Sequence, residues 1–311
     1  MSAYFHSYLC GRKAAEWLID MIELENEFLR VRISETGGKM QSIYGKKTGI
    51  EYLWQGDPNY WKGTAPNLFP FIGRLFGKQY QLDGKAYDMK IHGFLSGLPM
   101  HIQSSEKMCV QLLAEDSEQT RAVYPYRFRV ILSYRLAEQT LEITFSVHNL
   151  STNPLYFGVG GHPGFRVPME EGLDFSDYQL TFNQPCRPKL IDFSQNVLCT
   201  GIRAPYPLQG DRVLPLRHTL FTQDALVLSD APRRVSLSSP KGKHGVCVDY
   251  PQMPYVGFWH TPNSDAPFLC IEPWSMLPGR EGVIEELSEM ADVCSVKPGE
   301  SAENRWSISV F

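Results

Sequence analysis

A histidine lies inside a glycine-rich segment, Gly-Gly-His-Pro-Gly-Phe, at residues 160–165. Histidine exchanges protons near neutral pH, because its ordinary pKa is about 6.5. Glycine lets the backbone approach a neighbour closely, and Pro163 stiffens the turn. The segment therefore predicts a rigid, open turn on which His162 is available for acid–base chemistry. The alternative is a histidine that only caps the end of a strand.

A glutamate, Glu272, follows four apolar residues and precedes Pro273 and Trp274. A carboxylate at the end of a buried strand loses solvation, which raises its pKa towards that of a useful general base. Trp274 offers a flat apolar face of the kind that suits the C–H face of a sugar ring. The alternative is a structural glutamate paired with an arginine.

Four more polar residues accompany apolar segments: Asn67 and Arg74 in the segment 67–75, His92 beside a glycine, and Asp224 before an apolar run. A buried arginine needs a carboxylate or a polar ligand as its partner. Arg74 is therefore a candidate for substrate binding, as are Asn67 and Asp224, and His92 is a candidate catalytic residue. The alternatives are an exposed arginine, a hydrogen-bonded core histidine and an aspartate that caps a turn.

A metal site is the rival interpretation for His92, His162 and Glu272. The sequence contains neither an HExxH nor an HxH motif, so we expect no metal and no cofactor. The three residues are far apart in the sequence, which neither supports nor excludes a metal site.

The elements that position these residues are predicted to be strands. Apolar and polar residues alternate with a period of two, which is typical of strands with one buried face. The alternation covers residues 29–33, 128–130, 141–147, 246–248 and 306–310. Residues 80–87 contain Asp-Gly and predict a hairpin with a type I′ turn, and residues 297–300 predict a turn before the last strand.

Helical periodicity is limited to residues 12–21 and 280–290, where we expect short helices, and no βαβ rhythm is present. The many strands, with 25 glycines and 22 prolines available for turns, favour antiparallel sheets packed as a sandwich. The predicted fold class is therefore all-β, in a single domain.

Composition excludes several classes of partner. The 311 residues carry a net charge of −4 with charges of both signs interspersed, so no nucleic-acid or membrane surface is expected. No apolar stretch is long enough to span a membrane, and no signal peptide is recognisable. The seven cysteines are scattered and odd in number, which favours reduced thiols and a cytoplasmic location.

The candidate segments, in this order, resemble those of the aldose 1-epimerase (galactose mutarotase) family, and most of all its LacX-like branch. The resemblance also includes Glu-Tyr-Leu-Trp-Gln-Gly-Asp-Pro at 51–58 with Trp61, Tyr-Pro-Tyr-Arg-Phe at 124–128, and His-Asn at 148–149. It covers residues 21–311 and leaves residues 1–20 as an unassigned N-terminal extension. The sequence departs from the branch at residues 95–100, where a different substrate preference is expected, and again at residues 275–280.

The resemblance implies a large twisted antiparallel β-sandwich and interconversion of the α and β anomers of a hexose. It implies that Glu272 takes the proton of the anomeric hydroxyl and that His162 protonates the ring oxygen. His92 would hold the substrate and polarise the ring oxygen, while Arg74 and Asp224 would bind hydroxyls. The implied partner is a small aldose, and the implied assembly is a monomer or a homodimer.

Three other functions stay open at this point. The substrate could be a sugar phosphate, with Arg166 and Arg280 as candidates for pairing with the phosphate. The chain could bind a sugar without catalysis. It could also be a glycosidase, which needs two carboxylates such as Asp224 and Glu272.

Overall fold

The computed structural model describes residues 21–311, and most elements in this range are strands. In chain order the strands are β1 (Met21–Glu25), β2 (Leu29–Ser34), β3 (Met40–Gly45), β4 (Ile50–Glu51), β5 (Asn67–Leu68), β6 (Gln79–Leu82), β7 (Lys85–Asp88), β8 (His101–Glu106), β9 (Cys109–Glu115), β10 (Phe128–Ala137), β11 (Thr140–Asn149), β12 (Leu155–Phe157), β13 (Gly160–Gly161), β14 (Gly164–Arg166), β15 (Gln179–Phe182), β16 (Lys189–Phe193), β17 (Cys199–Pro205), β18 (Val213–Pro215), β19 (Leu226–Ser229), β20 (Arg234–Ser238), β21 (Gly245–Asp249), β22 (Tyr255–Trp259), β23 (Phe268–Trp274), β24 (Cys294–Val296) and β25 (Ser301–Val310).

Helices are few in the described range. One α-helix, α1, covers Glu118–Val123 and begins with a capping box in which Ser117 and Thr120 bond each other's backbone N–H. The remaining helices are single 3₁₀ turns at Phe76–Lys78, Leu95–Gly97, Phe175–Asp177, His218–Phe221 and Leu287–Glu289.

Two large antiparallel sheets form the body of the molecule. One has nine strands in the order β18-β15-β20-β21-β25-β11-β10-β9-β8. The other has eight, with β17-β16-β19-β22-β23-β13-β5 in order and β14 added beside β23. A smaller sheet has four strands in the order β1-β2-β3-β4, and two further sheets are the pairs β6-β7 and β12-β24.

The alternating segments of the sequence are strands with one buried face, as predicted. In β11, for example, every second residue is buried from Leu141 to Asn149. The predicted hairpin is formed by β6 and β7, where Asp83 and Gly84 have φ values of 52° and 75°, as a type I′ turn requires. The predicted turn at 297–300 closes with a hydrogen bond from Glu300 N–H to Lys297 O.

The hydrophobic core lies between the two large sheets. Phe182 on β15 packs edge-on against Phe258 on β22, with 6.4 Å between ring centroids. Because the eight-stranded sheet is also covered on its other face by loops, all seven residues of β23 are buried. The predicted all-β sandwich is confirmed. Most buried apolar side chains belong to one cluster that extends from Ile22 to Val310, and the single domain over 21–311 stays a prediction.

The helix predictions fail where they can be examined. The segment 12–21 lies outside the described residues except for Met21, which begins β1. The segment 280–290 contains only the 3₁₀ turn Leu287–Glu289. Gly282 there adopts a left-handed φ of 78°, and Glu285 accepts hydrogen bonds from both the backbone and the side chain of Arg280, so the chain folds into a loop.

In the described part of the chain, no helix is long and apolar enough to cross a membrane.

Candidate active site

The His162 turn lies directly beside the strand that carries Glu272. β13 pairs antiparallel with β23, with Gly160 opposite Trp274, so the next turn of chain places His162 over the middle of β23. The Nε2 atom of His162 lies 3.3 Å from Oε1 of Glu272. The two residues are only 9% and 1% exposed. The acid and the base that the sequence predicts are therefore in direct contact.

Burial drives the pKa values of this pair towards each other. Desolvation raises the pKa of Glu272 well above 4.5 and lowers the pKa of His162 well below 6.5. Both shifts disfavour the charged forms. The buried pair therefore favours a neutral imidazole and a neutral carboxylic acid over imidazolium and carboxylate.

His92 is held in a defined tautomer beside this pair. Its Nδ1 accepts a hydrogen bond from the N–H of Gly73 at 3.1 Å, so the proton of the neutral ring is on Nε2. Burial and the charge of Arg74 lower the pKa of His92 to about 4. The ring stands edge-on to that of His162, with 5.5 Å between centroids. His92 is thus a neutral hydrogen-bond donor at neutral pH.

Arg74 and Asp224 also face this site. The exposed Arg74 lies close enough to lower the pKa values of both His92 and Asp224. Asp224 is half-buried, and burial raises its pKa. Its own charge contributes to the raised pKa of Glu272. The structure therefore gathers Arg74, Asp224 and the three candidate catalytic residues around one point.

Comparison with known proteins shows the family to which the whole chain belongs. The family model described as aldose 1-epimerase matches residues 20–290. The LacX protein of Lactococcus lactis subsp. lactis is 33% identical over 304 residues, which cover 93% of this chain and 99% of that protein. The chain belongs to the aldose 1-epimerase family.

Solved structures of this family share the fold. A galactose mutarotase related enzyme from Lactobacillus acidophilus superposes with a TM-score of 0.88 at 31% identity, covering 94% of this chain and 97% of that one. A galactose mutarotase-like protein from Lactobacillus casei also gives a TM-score of 0.88, at 26% identity, with 94% and 100% covered. The galactose mutarotase-like sandwich predicted from the sequence is thereby confirmed.

Asn67 on β5 is paired with Gly161 of the His162 turn. Its side chain is 1% exposed and donates to the carbonyls of Gly37 and Gly38 and to the hydroxyl of Tyr134, at 2.8–3.0 Å. Tyr134 belongs to the nine-stranded sheet, so the amide lies between the two sheets. The amide nitrogen ties β5 to the opposite sheet, whereas the buried Oδ1 has no hydrogen-bond partner among the described residues. Substrate binding by Asn67 stays a prediction.

The glycines of the His162 turn serve packing. A Cβ atom on Gly161 would lie 2.3 Å from the indole of Trp306, and one on Gly160 would lie 2.8 Å from the carbonyl of Pro273. None of the turn's glycines has a positive φ. At Gly160 and Gly161 the missing side chains let the turn pack against both sheets, and a close approach of the turn's backbone to a ligand stays a prediction.

The tryptophans around the site differ from the sequence expectation. Trp274 is only 4% exposed, and its Nε1 donates to Oε2 of Glu272 at 3.2 Å, so it orients the carboxylate and presents little open face. Trp61 stacks on the His162 ring at 5.0 Å, and Trp259 stands edge-on to it at 5.6 Å. Both are only partly buried, so they leave more aromatic surface accessible beside His162 than Trp274 does.

The two arginines considered for phosphate binding have other surroundings. Arg280 forms an ion pair with Glu285 at 2.7 Å. Arg166 is exposed and lies opposite Phe268 on β23, four residues before Glu272. Neither arginine is among the groups that shift the pKa of Glu272 or of His162.

Proposed function

We propose that this protein is an aldose 1-epimerase that interconverts the α and β anomers of a free hexose without a cofactor. The observation that carries the proposal is the buried contact between His162 Nε2 and Glu272 Oε1. Mutarotation needs one base and one acid at the two oxygens of a single carbon, and this pair supplies both within the reach of one sugar ring.

The proposed reaction conserves protons. Glu272 takes the proton of the anomeric hydroxyl while protonated His162 gives a proton to the ring oxygen. The C1–O5 bond breaks and a carbonyl forms at C1. Rotation about C1–C2 exposes the other face, O5 attacks it, and both protons return. The step starts from imidazolium and carboxylate, the forms that burial disfavours, and yields two neutral groups, so the desolvation cost of the charged pair is relieved as the ring opens.

The neighbours have complementary roles in this proposal. The Nε2–H of neutral His92 donates to the ring oxygen and stabilises the charge that develops there. Arg74 and Asp224 bind sugar hydroxyls as donor and acceptor. Trp61 and Trp259 form an apolar wall for the C–H face of the ring. We retain the cytoplasmic location as a prediction, together with the monomeric or homodimeric assembly.

The test is the rate of anomer exchange of α-glucose and α-galactose, followed by polarimetry or NMR. We expect exchange faster than in buffer, and a loss of about 10²–10⁴-fold in Glu272→Gln and in His162→Asn, which is the usual value of a positioned proton transfer. Glu303→Gln, at an exposed position on β25, is the matched control and should keep the wild-type rate. A wild-type protein that is no faster than buffer would contradict the proposal for these sugars.

The same assay separates the other candidate functions. A sugar-phosphate substrate would be indicated if a hexose 6-phosphate exchanged faster than the free hexose, and if this rate fell in Arg166→Ala or in Arg280→Ala. Binding without exchange would indicate a non-catalytic sugar sensor. Release of reducing ends from an oligosaccharide would indicate a glycosidase. The proposal predicts that none of these three outcomes occurs.

A further inference from the structure

A cysteine that the proposed mechanism does not use lies next to the acid–base pair. Cys270 and Glu272 are two residues apart on β23, so their side chains are on the same face of the sheet. Gly164 is opposite Cys270 on β14, and atoms of Trp61, Trp54 and Thr64 lie 3.0–3.4 Å from where a Cβ of Gly164 would be. The Cys270 thiol is fully buried.

The three side chains meet in a way that suits a metal ion. One ligand atom each from His162, Cys270 and Glu272 lie within 4.8 Å of one another. Two ligands of a tetrahedral Zn²⁺ are about 3.3–3.8 Å apart, given bond lengths of about 2.0–2.3 Å. Small side-chain rotations would therefore bring all three into one coordination sphere. His162 is nine-tenths buried, with its Nε2 directed into this cluster.

The chemistry of the three donors favours Zn²⁺ over harder ions. Imidazole, thiolate and carboxylate are the ligand types that zinc combines in proteins, whereas Mg²⁺ and Ca²⁺ prefer oxygen alone. The charges also balance, because the thiolate and the carboxylate together neutralise the ion. A complex with no net charge has the smallest desolvation free energy in a buried site. The thiol proton is released to the solvent when the ion binds.

We propose that the acid–base site of this protein is also a Zn²⁺-binding site, formed by His162 Nε2, Cys270 Sγ and Glu272 Oε1. Three protein ligands leave the fourth position to a water molecule on the side of the pocket. The ion occupies both atoms assigned to proton transfer, so its binding and that of the hexose are mutually exclusive. Zn²⁺ is therefore a reversible inhibitor of anomer exchange. This last consequence rests on the proposed function, whereas the metal site itself does not.

The first test is independent of activity and uses Co²⁺ as a spectroscopic substitute for Zn²⁺. A thiolate ligand gives Co²⁺ an intense charge-transfer absorption in the near ultraviolet. We expect this band at one equivalent of Co²⁺ in the wild-type protein and its displacement by Zn²⁺. It should be lost in Cys270→Ser and in Cys270→Ala. It should persist in Cys247→Ser, a buried cysteine on β21, and in Cys10→Ser.

The second test measures inhibition of anomer exchange. Zn²⁺ should inhibit the wild-type protein, EDTA should restore the rate, and Mg²⁺ should have no effect. In Cys270→Ser and Cys270→Ala the uninhibited rate should stay unchanged. The Zn²⁺ concentration for half-inhibition should rise by about 10–100-fold or more, since loss of even a supporting metal contact has an effect of that size.

The absence of the Co²⁺ band in the wild-type protein, or its persistence in both Cys270 variants, would overturn the metal site. Equal inhibition of the wild-type protein and the variants would do the same. If the protein exchanges no anomers at all, the Co²⁺ band still decides the metal site, so the two proposals fail separately.

Discussion

At the scale of single residues, the sequence identifies the types of the reacting groups, and the structure adds their orientations. His162 and Glu272 stand out because a histidine in a glycine turn and a glutamate in an apolar run are unusual. Asn67 is different, because β5 has only two residues and no periodicity shows which face its side chain takes. Cys270 could be found from its i, i+2 spacing to Glu272, once that strand was assigned.

Trp274 provides the prediction at this scale. Its indole N–H is a donor to Glu272, and this bond lowers the otherwise raised pKa of that carboxyl. Trp274→Phe removes the donor. Its effect on kcat/KM for anomer exchange should be a loss of about 10–100-fold near neutral pH, because a hydrogen bond to a charged group contributes about 1.5–3 kcal/mol. The pH profile should move to higher pH, since the pair then binds its proton more tightly.

Trp306→Phe is the control for that experiment. Trp306 is equally buried, but its Nε1 has no hydrogen-bond partner in the described residues. This variant loses similar volume but no hydrogen bond, so its pH profile should coincide with that of the wild-type protein. An unshifted profile in Trp274→Phe would contradict the role assigned to the indole N–H.

At the scale of elements, the long strands and the Asp-Gly hairpin could be predicted because they depend on local patterns. The two-residue strands β5 and β13 could not, since they are defined only by their partners in the sheet. The helix predicted at 280–290 is lost to Gly282 and to the local hydrogen bonds of Glu285. The short α1 was missed because its six residues show no clear period.

Gly161→Ala tests the packing of the His162 turn. The new methyl would lie 2.3 Å from the Trp306 indole, so either the turn or the indole must move. We expect a loss of about 1–3 kcal/mol in the free energy of unfolding, as for other overpacked sites. The measurement is urea unfolding, together with the rate of anomer exchange, which should also fall.

Gly97→Ala is the matched control for Gly161→Ala. A Cβ at Gly97 meets no atom within 4 Å, and its φ is not positive. Its stability should be close to that of the wild-type protein. If both variants are equally stable, the turn is looser than the structure indicates.

At the scale of the whole molecule, burial of histidines makes the fold sensitive to acid. Burial lowers the pKa values of His92 and His260 to about 4, and that of His162 well below 6.5. The unfolded chain takes up these protons near pH 6.5, whereas the folded protein does so only at lower pH. The free energy of unfolding is therefore highest above pH 6.5, where these histidines are neutral in both states, and it decreases progressively as the pH falls towards 4.

His260 allows this effect to be measured away from the acid–base pair. It is fully buried, with Nε2 3.1 Å from Nδ1 of His218 and Nδ1 2.8 Å from the carbonyl of Thr261. In His260→Gln the drop in unfolding free energy between about pH 7 and pH 4 should be smaller by about 2 kcal/mol, after allowance for solvent screening. Urea unfolding at several pH values gives this difference. Parallel curves for the two proteins would contradict the assignment.

The most direct test of the central claim is a crystal structure of the wild-type protein with bound glucose or galactose. The account predicts that the anomeric oxygen lies within hydrogen-bond distance of the Glu272 carboxylate, and that the ring oxygen lies within the same distance of His162 Nε2, about 2.6–3.2 Å in each case. The account would be contradicted by a hexose bound with O1 and O5 away from these two side chains.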